Sequence, residues 1–68
     1  MQVEIDSVVR EVDAAYTVPQ AIAEFSPYGE DALICKLNGE IIRSIDESGA
    51  VALHEGDKLE MYPLVIGG

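Results

Sequence analysis

The sequence predicts an α+β fold: a mixed sheet of four to five strands with one short helix packed across it. Three observations carry this expectation. A capped apolar stripe lies at 17–25, between residues that alternate at both ends of the chain. An Asn38-Gly39 pair sits between two largely apolar runs. Turn-forming clusters, including Asp6-Ser7 and Glu55-Gly56-Asp57, separate segments too short to be helices.

Each element follows in order. Met1 to Ile5 alternates around Val3 and Ile5, the pattern of a half-buried strand. Asp6-Ser7 is a turn, and Val8 to Val12 pairs back as a hairpin. Thr17 with Gln20 three residues later forms a capping box, in which the hydroxyl and the amide satisfy each other's backbone N–H groups. Pro19 falls in the first turn, where its missing N–H costs nothing. Val18, Ala21, Ile22 and Phe25 then make one apolar stripe. Ser26-Pro27 ends the helix, because the residue before a proline is pushed out of helical angles. A helix of about nine residues is marginal alone and needs a sheet to pack on.

Residues 28–31 read as a loop. Ala32 to Leu37 and Glu40 to Arg43 are two strands joined by Asn-Gly, whose residues both accept the positive φ of a tight hairpin. Residues 44–49 read as polar loop and Ala50 to Leu53 as a short apolar piece. Lys58 to Ile66 is the last strand, its Leu59 and Met61 alternating with Lys58, Glu60 and Tyr62. The expected core is the helix stripe with Val3, Ile5, Leu33, Cys35, Leu37, Leu59 and Met61. A globular domain over 1–62 and a flexible tail over 63–68 are expected.

Sixty-eight residues allow one small domain with a thin core, and exclude a Rossmann or barrel enzyme. Thirteen acidic residues against four basic ones give a charge of -9. That opposes binding to nucleic acid, which depends on Lys and Arg at phosphates, and binding to anionic membranes. A basic protein surface is the natural complement. One cysteine permits no internal disulfide and suits a reducing compartment. The N-terminus has no signal-peptide pattern, and no apolar run reaches membrane-helix length. A soluble cytoplasmic chain is expected.

Catalytic constellations are missing from the sequence. His54, the single histidine, lies in a loop with no nucleophile placed for it. Cys35 alternates inward and reads as a small core residue. No Cys/His spacing suits zinc, and no glycine-rich loop opens a helix to hold phosphate. No bound cofactor and no metal are expected, and the chain does not read as an enzyme.

The C-terminal run Tyr62-Pro63-Leu64-Val65-Ile66-Gly67-Gly68 resists a bland reading. Two terminal glycines arise by chance in roughly 0.5% of chains, at ~7% glycine per position. Three apolar residues stand where chains usually become polar. Alternation sets Tyr62, Leu64 and Ile66 on one face, a candidate docking surface. Gly67 and Gly68, without Cβ atoms, suit a tail that threads a narrow channel toward a nucleotide. Six residues from Pro63 extend up to ~20 Å.

These residues bring a family into view. Met1-Gln2-Val3, Thr17-Val18, Leu37-Asn38-Gly39-Glu40, Glu55-Gly56-Asp57 and Gly67-Gly68 together resemble the ubiquitin-like sulfur carriers ThiS and MoaD, over the whole chain. The resemblance implies the β-grasp fold. It implies that Gly68 is adenylated by an ATP-using, ubiquitin-activating-like enzyme and becomes a thiocarboxylate, with Gly67 as its flexible neighbour. A synthase then accepts the sulfur for thiazole (thiamin) or molybdopterin. The length and the Leu-Asn-Gly-Glu hairpin look like ThiS. Pro63 looks like MoaD, although Leu64 replaces the second proline common there. The same tail chemistry serves a second reading, a protein modifier of the small archaeal type joined to lysines or serving tRNA thiolation. A third is a β-grasp interaction module whose last two glycines are incidental.

Overall fold

Two hairpins and one capped helix form from local signals, and the last strand joins both hairpins by long-range pairing. The computed structural model describes residues 1–26 and 33–63, without the side chain of Leu33. Strand β1 (Gln2–Ile5) turns Val3 and Ile5 inward. Asp6 and Ser7 follow at φ 49° and 70°, both left-handed, as the twist of a two-residue hairpin demands. Strand β2 (Val8–Glu11) runs back antiparallel to β1. The N-terminal amine extends this ladder by donating to the Val12 carbonyl at 2.6 Å. Arg10, on the inward side of β2, lays its guanidinium 4.0 Å from the centre of the Phe25 ring.

Helix α1 (Val18–Phe25) starts where the capping box predicts. The Thr17 hydroxyl accepts from the Gln20 N–H at 3.4 Å, and the Gln20 side chain accepts from the Thr17 N–H at 2.9 Å. Ser26 ends the helix in an extended conformation, its N–H donating to the Ile22 carbonyl at 3.1 Å. Val18, Ala21 and Ile22 are buried, and Phe25 packs half-buried against them. The predicted loop at 28–31 lies outside the described residues.

Strands β3 (Leu33–Leu37) and β4 (Glu40–Ile42) pair antiparallel about Asn38 and Gly39, at φ 52° and 88°. The next segment differs from expectation. Residues 44–49 are not simply loop: β5 (Ile45–Asp46) and β6 (Gly49–Ala50) form a separate two-stranded sheet. The Asp46 carboxylate closes its turn by accepting from the Ser48 N–H at 2.9 Å and hydroxyl at 2.7 Å. Those bonds hold the Asp46 carboxyl below its ordinary value, the hydroxyl's bond having the largest effect. Strands of two residues are too short to show an alternation in sequence. The short apolar piece at 50–53 holds the end of β6 and one bridge between Ala52 and Thr17.

Strand β7 (Lys58–Pro63) enters the middle of the main sheet, whose order is β2-β1-β7-β3-β4. It runs parallel to β1 and antiparallel to β3, so the sheet is mixed. β7 includes Pro63, which the sequence reading assigned to the tail. Helix and sheet enclose one core: Val3, Ile5, Val18, Ala21, Ile22, Cys35, Leu59 and Met61, joined by Tyr16 and Leu53. Leu37 lies half-buried at its margin. Tyr16 and Leu53 went unpredicted because they flank elements rather than alternate within them. Their backbones are joined directly, the Leu53 N–H donating to the Tyr16 carbonyl at 2.9 Å.

Tyr16 is a buried aromatic with a polar tip, and its hydroxyl donates to the Glu24 carboxylate at 2.9 Å. Burial first, then the Glu24 bond and charge, push the hydroxyl up to about 12, against an opposing pull from Arg10. The unfolded chain therefore loses this proton first as pH rises. Tyr16 contributes its full stabilisation below about pH 10, and stability is expected to fall by about 1–2 kcal/mol between about pH 10 and 12. Urea titrations of the parent chain and Tyr16→Phe across that window measure it. The slope difference between the two should vanish below the window, and equal slopes within it would refute the assignment.

Candidate functional site

The helix covers one side of the sheet, so the other side is left to solvent, and β7 crosses its middle. Leu59 and Met61 point to the core. Lys58, Glu60 and Tyr62 point away from it, as strand alternation requires. Tyr62 is 41% exposed. The other predicted site residues, Leu64, Ile66, Gly67 and Gly68, lie outside the described residues.

Cross-strand register shows what surrounds Tyr62. Ile34 on β3 stands opposite Tyr62, and Lys36 stands opposite Glu60. Ile41 on the edge strand β4 stands opposite Lys36 and is 72% exposed. Paired residues share a face, so Tyr62, Ile34 and Ile41 form an apolar patch interleaved with Lys36 and Glu60. The Lys36 ammonium lies 5.7 Å from the centre of the Tyr62 ring, and the Tyr62 hydroxyl donates to Glu60. That bond is the main reason the Tyr62 hydroxyl titrates above its ordinary value. Toward β1 the face becomes polar, with Lys58 3.8 Å from the Glu4 carboxylate.

Ile34 and Ile41 were missed as site residues, although the signal was present. Lys36 had to face outward, which takes Ile34 with it, and the two-residue Asn38-Gly39 hairpin puts Ile41 opposite Lys36. A run of isoleucines reads as core until the register is counted.

The structure brings together no catalytic pair from the residues singled out in sequence. Cys35 is buried on β3, whereas the His54 side chain is 83% exposed. The imidazole Nδ1 stands 3.7 Å from Asp57, a carboxylate already bonded to the His54 N–H at 2.7 Å and the Asn38 amide at 3.0 Å. Among the described residues, no group of three or more His, Cys, Asp or Glu side chains could hold a metal ion. Among them too, no helix is long and apolar enough to cross a membrane.

The family model described as ThiS family matches residues 2–68. The chain belongs to the ThiS family. No curated protein matches the chain. Its fold is similar to the crystal structure of a thiamine biosynthesis protein (ThiS) from Geobacter metallireducens, with a TM-score of 0.75. The two are 19% identical, and the likeness covers 100% of each chain. The helix-crossed mixed sheet is thus the ubiquitin-like β-grasp fold expected from the sequence.

Cys35 tests the division between core and site. Burial pushes its thiol up, and the nearby Asp6 charge adds to this, so the reactive thiolate is suppressed. Cys35→Ala is expected to cost about 1–2 kcal/mol of stability through lost burial and a small cavity. Urea denaturation measures that loss, and a Cys35→Ala chain as stable as the parent would refute the core assignment.

Proposed function

We propose that this chain is a sulfur carrier of thiamin biosynthesis, a protein cosubstrate rather than an enzyme. The observation that carries the reading is the reach of the family match, which runs through Gly67 and Gly68. In this reading the Gly68 carboxylate attacks the α-phosphorus of ATP within an activating enzyme. An acyl adenylate forms and pyrophosphate leaves. A hydrosulfide-level sulfur then displaces AMP, giving the thiocarboxylate that a synthase consumes. The carrier needs no base, metal or cofactor of its own for these steps, because ATP and the activating groups belong to the partner. Its own contribution is a tail that can enter a narrow site and a folded face that the partner recognises.

The apolar patch of Tyr62, Ile34 and Ile41 supports that second role, since Tyr62 belongs to the last strand before the tail and the isoleucines to the two strands beside it. The charge of -9 supports a basic partner surface and salt-sensitive association. Reducing conditions suit both a free thiol and a thiocarboxylate, in keeping with a cytoplasmic carrier.

Removal of Gly68 is expected to abolish ATP–pyrophosphate exchange by the activating enzyme while leaving the unfolding transition unchanged. Intact mass spectrometry of the chain from its native cell should show one oxygen exchanged for sulfur at the terminus. Isopeptide-linked high-mass species in place of that change would favour the modifier reading. Ile41→Asp should raise the KM of the activating enzyme for this chain by about tenfold, the scale of a lost interface anchor. Its cooperative unfolding should persist because the side chain already faces water. An unchanged KM would remove Ile41 from the docking face.

A further inference from the structure

The turn between β1 and β2 makes one contact that neither hairpin formation nor core packing requires. Asp6 is the first turn residue, and its own N–H donates to the Leu59 carbonyl at 3.0 Å. This continues the parallel ladder that pairs Ile5 with Leu59. There β1 ends, because the chain reverses at Asp6-Ser7, yet β7 continues to Pro63. The next N–H of β7 on that side belongs to Met61, and it donates to the Asp6 carboxylate at 2.8 Å. Asp6 thus brackets Glu60, its backbone holding the carbonyl before that residue and its side chain the N–H after it. Two residues further on, the same side of β7 presents Pro63, which has no N–H. Met61 is therefore the last donor on that edge of the described strand, and a side chain holds it where no neighbouring strand runs.

We infer that Asp6 is a positioning residue, whose carboxylate clamps β7 at Met61 and so holds Tyr62 and Pro63, the last described residues before the C-terminal run, in the sheet. The inference rests on the proposed function for its consequence in activation, while the clamp itself is a property of the folded chain. Without the acceptor, β7 beyond Leu59 is held from one side only, by β3. Tyr62 and the root of the tail then have to be ordered when the partner docks. That loss belongs to recognition, so it enters KM, whereas the chemistry at the terminal carboxylate is untouched.

Two substitutions separate the acceptor from the turn and from the charge. Asp6→Gly accepts the φ of 49° without strain and removes the acceptor. Asp6→Asn also tolerates the left-handed conformation and keeps an acceptor oxygen, but removes the negative charge. In the full chain, amide hydrogen exchange at Met61, relative to the β1 amides, should accelerate at least severalfold in Asp6→Gly and stay near the parent rate in Asp6→Asn. In ATP–pyrophosphate exchange with the activating enzyme, Asp6→Gly should raise KM by about 2- to 10-fold, a part of the worth of one hydrogen bond to a charged acceptor, with kcat unchanged. Asp6→Asn should restore most of the loss. Parent-like exchange and KM in Asp6→Gly overturn the inference. So does an Asp6→Asn chain as impaired as Asp6→Gly, which would make charge the cause. A parent chain that supports no adenylation overturns the proposed function and the role in activation together. The Met61 exchange pattern then decides the clamp by itself.

Discussion

The parallel pairing of β1 with β7 is the constraint on which the rest of this structure depends. Parallel neighbours cannot be joined by a tight turn, so the chain between them has to cross from one edge of the sheet to the other, and α1 lies on that crossing. The crossover puts α1 against Val3, Ile5, Leu59 and Met61 and makes one buried core from a chain with little apolar material to spare. The same pairing is sealed at its start by backbone bonds from the Gly56 N–H to the Gln2 carbonyl and from the Glu4 N–H to the Asp57 carbonyl, both 2.8 Å. Asp57 then bonds Asn38, and Asn38 exchanges two bonds with Lys58, from its own N–H to the Lys58 carbonyl and from the Lys58 N–H to its side-chain oxygen. The Glu-Gly-Asp turn and the Asn-Gly hairpin are thereby joined at one end of the sheet.

The opposite end of β7 has a different character. β1 has turned away, and the strand is held by β3 and by one carboxylate from the Asp6-Ser7 turn. The two ends of β7 are thus held differently, the first by strands on both sides and the second by a strand and a side chain. Because the helix occupies a single face, Tyr62 of β7, Ile34 and Lys36 of β3 and Ile41 of β4 share the free face.

Much of this was legible in the residues. The capping box of Thr17 and Gln20, the Pro19 position and the Asn38-Gly39 turn each carry their own geometry within four residues, and each formed as read. Inward and outward positions of β1, β3 and β7 followed from alternation, which placed Cys35 in the core and Tyr62 on the surface. Tyr16 and Leu53 escaped because the contact that buries them joins segments far apart in the chain. The β5–β6 pair escaped because two-residue strands carry no period, and its turn is made by the side chain of Asp46.

The sequence by itself determined the local elements, the sign and size of the charge, and the diglycine terminus through which the family is recognised. These depend on backbone preferences and composition, which act without knowledge of the fold. Only the tertiary structure decided which apolar residues are core and which are surface. Ile34 and Ile41 are chemically indistinguishable from Ile5 and Ile22, and strand register alone turns them toward water. Likewise, Asp6 reads as an ordinary turn residue until parallel pairing brings Met61, 55 positions later, within reach of its carboxylate.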